Sequence, residues 1–140
     1  MRLLEVLIPT YGRPESAALA IESVLACDDD RIGVRCNSNG YEPLLEKYRD
    51  YHERVFYDCF PENRGVHANL LHLYRTTDAK FCMLLSDEDR LSPAGAKSFL
   101  DYIEGLGDDV VVVSSSIYDL AKDQYYFLPN KRLVSRRIGV

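Results

Sequence analysis

The chain has 140 residues, of which 46% are hydrophobic and 28% charged, and its net charge at neutral pH is -5. That length fits one domain able to bury most of a core unaided, and the balance is ordinary for a soluble globular protein. The acidic charge argues against a general nucleic-acid binder, and no segment approaches a membrane span.

Residues 3–8 read as a first strand that Pro9 ends, with Thr10-Tyr11-Gly12-Arg13 as the loop after it. Pro14 suits the first turn of a helix. Ala17, Ala20, Ile21, Val24 and Leu25 then recur at helical spacing and form an inward stripe. Asp28, Asp29 and Asp30 follow where they oppose the helix dipole, and they read as a solvated loop. A short second strand is expected over 32–36, with turn chemistry in Asn37-Ser38-Asn39-Gly40. Pro43 opens a helix with Leu44, Leu45, Tyr48 and Tyr51 on its buried side. Residues 55–59 form a third strand, and Val66, Leu70, Leu73 and Tyr74 mark a third helix. A fourth strand over 81–85 precedes a helix opened by Pro93 and ended by Gly105 and Gly107. A fifth strand is expected over 110–113, and a hairpin over 117–123 and 124–128. This alternation implies an α/β fold of three layers, α/β/α, around a mainly parallel sheet.

The fourth strand carries the most pointed chemistry. Phe81-Cys82-Met83-Leu84-Leu85 reads as a strand buried on both faces, and Ser86-Asp87-Glu88-Asp89 follows it directly. Open α/β sheets bind ligands at the C-terminal ends of their strands. Asp87 and Asp89 are two apart, so in extended backbone they point the same way. Two hard oxygen donors suit Mg²⁺ or Mn²⁺, usually with help from a phosphate. The loops after the other strands end on the same rim. They bring an aromatic ring (Tyr11), amides (Asn37, Asn39, Asn63) and guanidinium groups (Arg13, Arg64). An aromatic ring packs on a base, amides read its edge, and carboxylates hold ribose hydroxyls and a metal.

In this order the pieces resemble the nucleotide-binding half of family 2 glycosyltransferases, which have the GT-A fold. The resemblance rests on Ile8-Pro9-Thr10-Tyr11-Gly12-Arg13-Pro14 with Glu22-Ser23-Val24-Leu25, on Asn63-Arg64-Gly65 with Asn69, and on Leu85-Ser86-Asp87-Glu88-Asp89 with Leu91-Ser92-Pro93. It implies a nucleotide-sugar donor, most often UDP-linked, bound through Mn²⁺ or Mg²⁺. It places Thr10, Tyr11 and Arg13 near base and ribose, Asp87 at ribose or metal, and Asp89 at the metal. Asn37, Asn39, Asn63 and Arg64 complete the expected nucleotide site. The implied reaction passes the sugar, usually with inversion, to an acceptor hydroxyl on a glycan, a lipid-linked sugar or a protein. One departure lies after the second strand, where the family often has an Asp that meets the base and this chain has Asn37-Ser38-Asn39. Another is length. The family's acceptor-binding half supplies the general base, and only 51 residues follow Asp89 here. The expectation is therefore a single GT-A-like nucleotide-sugar-binding domain over 1–140, its acceptor-binding half short or missing. Asp119 is the better candidate base, against the plainer role of a turn residue.

Two other readings compete: a non-catalytic or truncated nucleotide-sugar-binding domain, and a different α/β protein such as a nucleotidyltransferase or response-regulator-like domain. The last is disfavoured because a phosphoacceptor needs acids where Pro9-Thr10-Tyr11 stand, and no glycine-rich phosphate loop is present. His67 and His72 lie five apart, so they do not share a helix face. Ser114, Ser115 and Ser116 lack a nearby His partner. Cys27, Cys36, Cys59 and Cys82 form no Cys-x-x-Cys pair, and no secretory signal is visible, so a cytoplasmic protein with reduced thiols is expected. Lys131, Arg132, Arg136 and Arg137 gather in the last ten residues without an acid. Such a tail suits weak contact with an anionic membrane surface.

Overall fold

The computed structural model describes residues 1–109, 117–119 and 122–126. Two compact units are present, Met1–Leu100 and Asp101–Val140. The expected strand over 110–113 and the basic tail over 131–140 lie outside the described residues.

The first unit is built on four parallel strands: β1 (Leu4–Thr10), β2 (Ile32–Ser38), β3 (Val55–Cys59) and β4 (Phe81–Leu84). Their order is β3-β2-β1-β4. Helix α1 (Pro14–Leu25) joins β1 to β2, a 3₁₀ helix (Pro43–Tyr48) precedes β3, and α2 (Val66–Thr76) joins β3 to β4. Helix α3 (Pro93–Glu104) follows β4. Because parallel crossovers are right-handed, the step from β1 to β2 and the return from β3 to β4 put their helices on opposite faces. Strand order reverses between β1 and β4, and in sheets of this kind that reversal opens a crevice at the C-terminal ends. The second unit contains an antiparallel pair, β5 (Ile117–Asp119) and β6 (Gln124–Tyr126), with Asp119 opposite Gln124. Within the described residues the expected hairpin is present as this pair.

Burial follows the two-residue period of a strand. On one face Leu4, Val6, Ile8, Ile32, Val34 and Cys36 are buried, together with Ala17, Ile21 and Val24 of α1. On the other face lie Glu5, Leu7, Arg35 and Asn37, and here α2 supplies buried Leu73 and Asn69. Glu5 sits in a central strand because Arg35 answers it: Nε donates to Oε2 at 2.9 Å and Nη2 to Oε1 at 3.4 Å. The Arg35 guanidinium also lies 4.4 Å from the Phe56 ring centre.

Several expectations are corrected. Pro9 does not end β1, which runs on to Thr10. Leu7 turns its carbonyl to the β4 side, where Leu85 N–H donates at 3.0 Å. By alternation Pro9 faces that same side, past the last β1–β4 pair, so its missing N–H costs the ladder nothing. Asn37 and Ser38 belong to β2 and are buried, not an open turn. The segment after Pro43 is a 3₁₀ helix that buries only Leu45 and Tyr48, three residues apart, while Leu44 and Tyr51 are exposed. In α2, Val66 and Tyr74 are exposed and the inward positions are Asn69 and Leu73. Strand β4 is not buried on both faces: among the described residues it is the sheet edge, and Leu84 is 49% exposed. The acids after α1 are partly structured. Arg31 hydrogen-bonds the Asp29 carboxylate, Nη2 to Oδ2 at 2.7 Å, and lowers its pKa to about 2.

Candidate functional site

The loops after β1 and β4 meet at the crevice. Gly12, with φ of +64°, makes the left-handed turn out of β1, a conformation a side chain would resist. Arg13 then precedes α1, where Pro14 takes the first helical turn. After β4, Asp89 N–H donates to Ser86 O at 3.0 Å, closing a turn over 86–89. Arg90 fastens it, with Nη1 donating to the carbonyls of Asp87 (3.2 Å) and Asp89 (2.7 Å). This turn overrides the extended geometry expected for the two aspartates. Asp87 is buried, 1% exposed, while Asp89 is exposed.

Asp87 is gripped from β1 and from the loop after it. Thr10 Oγ1 donates to Oδ2 at 2.7 Å, and Arg13 Nε donates to the same oxygen at 3.1 Å. Arg13 Nη2 lies 2.8 Å from Oδ1 as an ion pair, though outside hydrogen-bond alignment, so Oδ1 is a buried acceptor that receives no hydrogen bond. Arg13 Nη1 also donates to Glu88 Oε1 at 2.7 Å. The Arg13 side chain is 50% exposed, so the guanidinium covers a buried carboxylate from the solvent side.

A second cluster ties the ends of β1 and β2 to the loop and helix after β3. Asn37 Nδ2 donates to Asn69 Oδ1 at 2.9 Å. Asn69 Nδ2 donates to the carbonyls of Asn37 (3.1 Å) and Thr10 (3.4 Å). Asn39 Nδ2 donates to Asn63 Oδ1 at 2.8 Å, and Asn39 Oδ1 accepts from Arg64 N–H at 2.7 Å. Asn63 Oδ1 accepts from Gly65 N–H as well, at 2.8 Å. Arg64 places its guanidinium 4.9 Å from the Phe60 ring centre. Tyr11 stands out from the rim, 60% exposed.

Thr10, Arg13 and Asp87 are thus brought into direct contact; Asn37 joins through Asn69, and Asn39, whose N–H donates to the Thr10 carbonyl, brings in Asn63 and Arg64. Asp89 stands beyond the turn. Asp119 ends β5 in the second unit. Three partners went unassigned in the sequence. Asn69 sits one turn before Leu73 on the inward side of α2, and a polar residue there is the signal that it serves the strand ends. Ser23 Oγ accepts Leu91 N–H at 3.0 Å, anchoring the chain after the acidic turn to α1. Arg54, buried before β3, donates to the carbonyls of Leu25, Cys27 and Asp29 at 3.1 Å each and closes the C-terminal end of α1. No spacing pattern marks it. A separate groove of about 350 Å³ runs along β3 and α2 past Asp58 and His72, which pair at 3.2 Å, and does not include Thr10, Arg13 or Asp87.

A parallel α/β sheet with a carboxylate-bearing turn at its strand-order reversal defines the class. The chain belongs to glycosyl transferase family 2, whose model matches residues 5–138. Two solved structures of S. aureus TarS, one of them its 1–349 form, share the fold with a TM-score of 0.60 and 16% identity. Each is covered over 74% of this chain, which spans 32% of the 1–349 form and 20% of the other TarS chain. No curated protein matches the chain. The GT-A-like α/β expectation is met.

Family 2 members generally use a divalent metal. Among the described residues no group of three His, Cys, Asp or Glu side chains is assembled to hold one. The donor chemistry still fits: Asp87 Oδ1 lacks a hydrogen bond, and Asp89 offers an exposed carboxylate two residues on. Mg²⁺ and Mn²⁺ take hard oxygen ligands, and one or two carboxylates suffice when a diphosphate supplies others.

Proposed function

We propose that this chain binds a nucleotide-diphosphate sugar, UDP-linked, and transfers the sugar to an acceptor hydroxyl with inversion. The observation that carries this reading is Asp87: a buried carboxylate, held by Thr10 and Arg13, between β1 and β4. Asp87 and Asp89 would hold Mn²⁺ or Mg²⁺, which when bound offsets the charge that gathers on the departing diphosphate. Tyr11 offers a ring face to the base, and Arg64 a cation on the same rim. Thr10 fixes the Asp87 carboxylate, so its orientation is set before ligand arrives. The acceptor is a glycan, a lipid-linked sugar or a protein. Its hydroxyl needs a base within hydrogen-bond reach, and Asp119 is the candidate. On this reading residues 1–140 serve as one donor-binding domain.

Titration calorimetry with UDP tests the donor site. Binding is expected with Mn²⁺ present and much weaker with a chelator, and Asp89→Asn should erase that difference because an amide is a poorer ligand for a hard cation. Equal affinity with and without metal rejects the assignment. Where an acceptor supports turnover, Asp119→Asn should lower kcat by a factor of about 10² or more if Asp119 is the base. Unchanged kcat removes it from the mechanism.

A further inference from the structure

Arg13 does more than accompany Asp87. Its guanidinium lies 2.8 Å from Oδ1, the one carboxylate oxygen without a hydrogen bond, and seals it from solvent. A divalent ion needs that same oxygen, and ion and guanidinium repel each other at such separations. A metal on Oδ1 would compete with the guanidinium 2.8 Å from it, so loading a metal there displaces Arg13 from that oxygen. Its backbone is pinned, because its carbonyl accepts Ala17 N–H at 3.0 Å at the start of α1. Its side chain is half-exposed and held only by the carboxylates of Asp87 and Glu88, so a competing anion can reach it.

We propose that Arg13 is a positioning residue that couples metal loading to arrival of the donor diphosphate. This rests on the nucleotide and metal reading above. Without nucleotide, the guanidinium acts as a stand-in cation on Asp87, with Glu88 holding its far side through Nη1. A metal arriving alone has to break the contacts to both carboxylates, and Arg13 gains nothing in exchange. A diphosphate offers Arg13 a new anionic partner. The guanidinium transfers to the phosphate oxygens, Asp87 is uncovered, and the metal takes the oxygen released. The coupling is reciprocal, so the same residue raises affinity for the diphosphate when metal is present.

The test measures Mn²⁺ affinity, by the electron paramagnetic resonance signal of free Mn²⁺, with and without UDP, for the wild-type chain, Arg13→Gln and Arg13→Lys. Wild type should bind Mn²⁺ poorly alone and more tightly with UDP. Arg13→Gln should bind Mn²⁺ alone about tenfold more tightly than wild type, and the gain from UDP should shrink by a similar factor. Arg13→Lys keeps the charge without the fork and should fall between them. Suppose UDP promotes Mn²⁺ binding in wild type, yet Arg13→Gln alone binds Mn²⁺ no more tightly. The coupling role is then overturned while the metal site stands. If wild type and variants bind no Mn²⁺ even with UDP, the metal reading fails and takes this role with it.

Discussion

The side chain that orders the candidate site is Thr10, because it offers the one neutral donor to a buried carboxylate. Its hydroxyl, itself buried, donates to Asp87 Oδ2 at 2.7 Å. Thr10→Val preserves shape and removes that donor. A buried carboxylate that loses a hydrogen bond costs about 1–3 kcal/mol. Urea denaturation should show the unfolding free energy falling by that amount, seen as a lower midpoint at an unchanged slope, while Thr10→Ser should retain most of the stability. If Thr10→Val matches wild type, Arg13 alone satisfies Asp87 and the threonine has no orienting role. The pairing of these two residues was partly legible, since both were expected on one rim. What was not legible is direction. Asp87 and Asp89 sit two apart and were expected on one side, but the 86–89 turn buries one and exposes the other. Asn37 and Asn39 looked like turn residues because Asn is common in turns. The structure buries their amides against Asn69 and Asn63, partners from distant parts of the chain that no local pattern announces.

At the scale of elements, helical and strand periods located β1–β4 and α1–α3, while their ends and buried faces depended on neighbours. Pro9 shows why: whether a proline stops a strand depends on which side its nitrogen faces and whether a partner strand is still there. The inward side of α2 was misread because Asn69 is polar, yet it is spent on the strand-end carbonyls of Asn37 and Thr10. The end of α1 carries the same lesson. Three acids follow a helix whose last carbonyls already attract positive charge. Arg54, 7% exposed, donates to the carbonyls of Leu25, Cys27 and Asp29 from just before β3. Arg54→Met keeps an apolar stem of similar length and removes three hydrogen bonds. Leaving those carbonyls short of donors should cost about 2–3 kcal/mol, since bonds from a charged donor are the stronger kind. The drop should appear in thermal or urea unfolding. A variant as stable as wild type would mean that water satisfies the end of α1 and that Arg54 is not its cap.

For the whole molecule, charge is the property that the sequence states in full. The last ten residues hold four cations and no acid, which leaves 13 basic against 22 acidic residues elsewhere, or -9. Among the described residues no helix is long and apolar enough to cross a membrane. We propose a cytoplasmic protein whose tail touches the anionic inner face of a membrane, where lipid-linked sugar acceptors would lie. Each Lys or Arg near such a surface contributes about 1 kcal/mol. Lys131, Arg132, Arg136 and Arg137 together would hold the chain weakly, against repulsion of the acidic remainder. Binding to vesicles containing anionic lipid is therefore expected at low salt. It should vanish at about 1 M salt, where the screening length falls to about 3 Å. Removing residues 131–140 should abolish it and leave UDP affinity unchanged, because the proposed donor site draws on residues before 90. Vesicles that fail to retain the full chain at low salt would refute the membrane contact. A shortened chain that unfolds would show instead that the tail belongs to the core of its unit, and its charge would then need a partner within the protein.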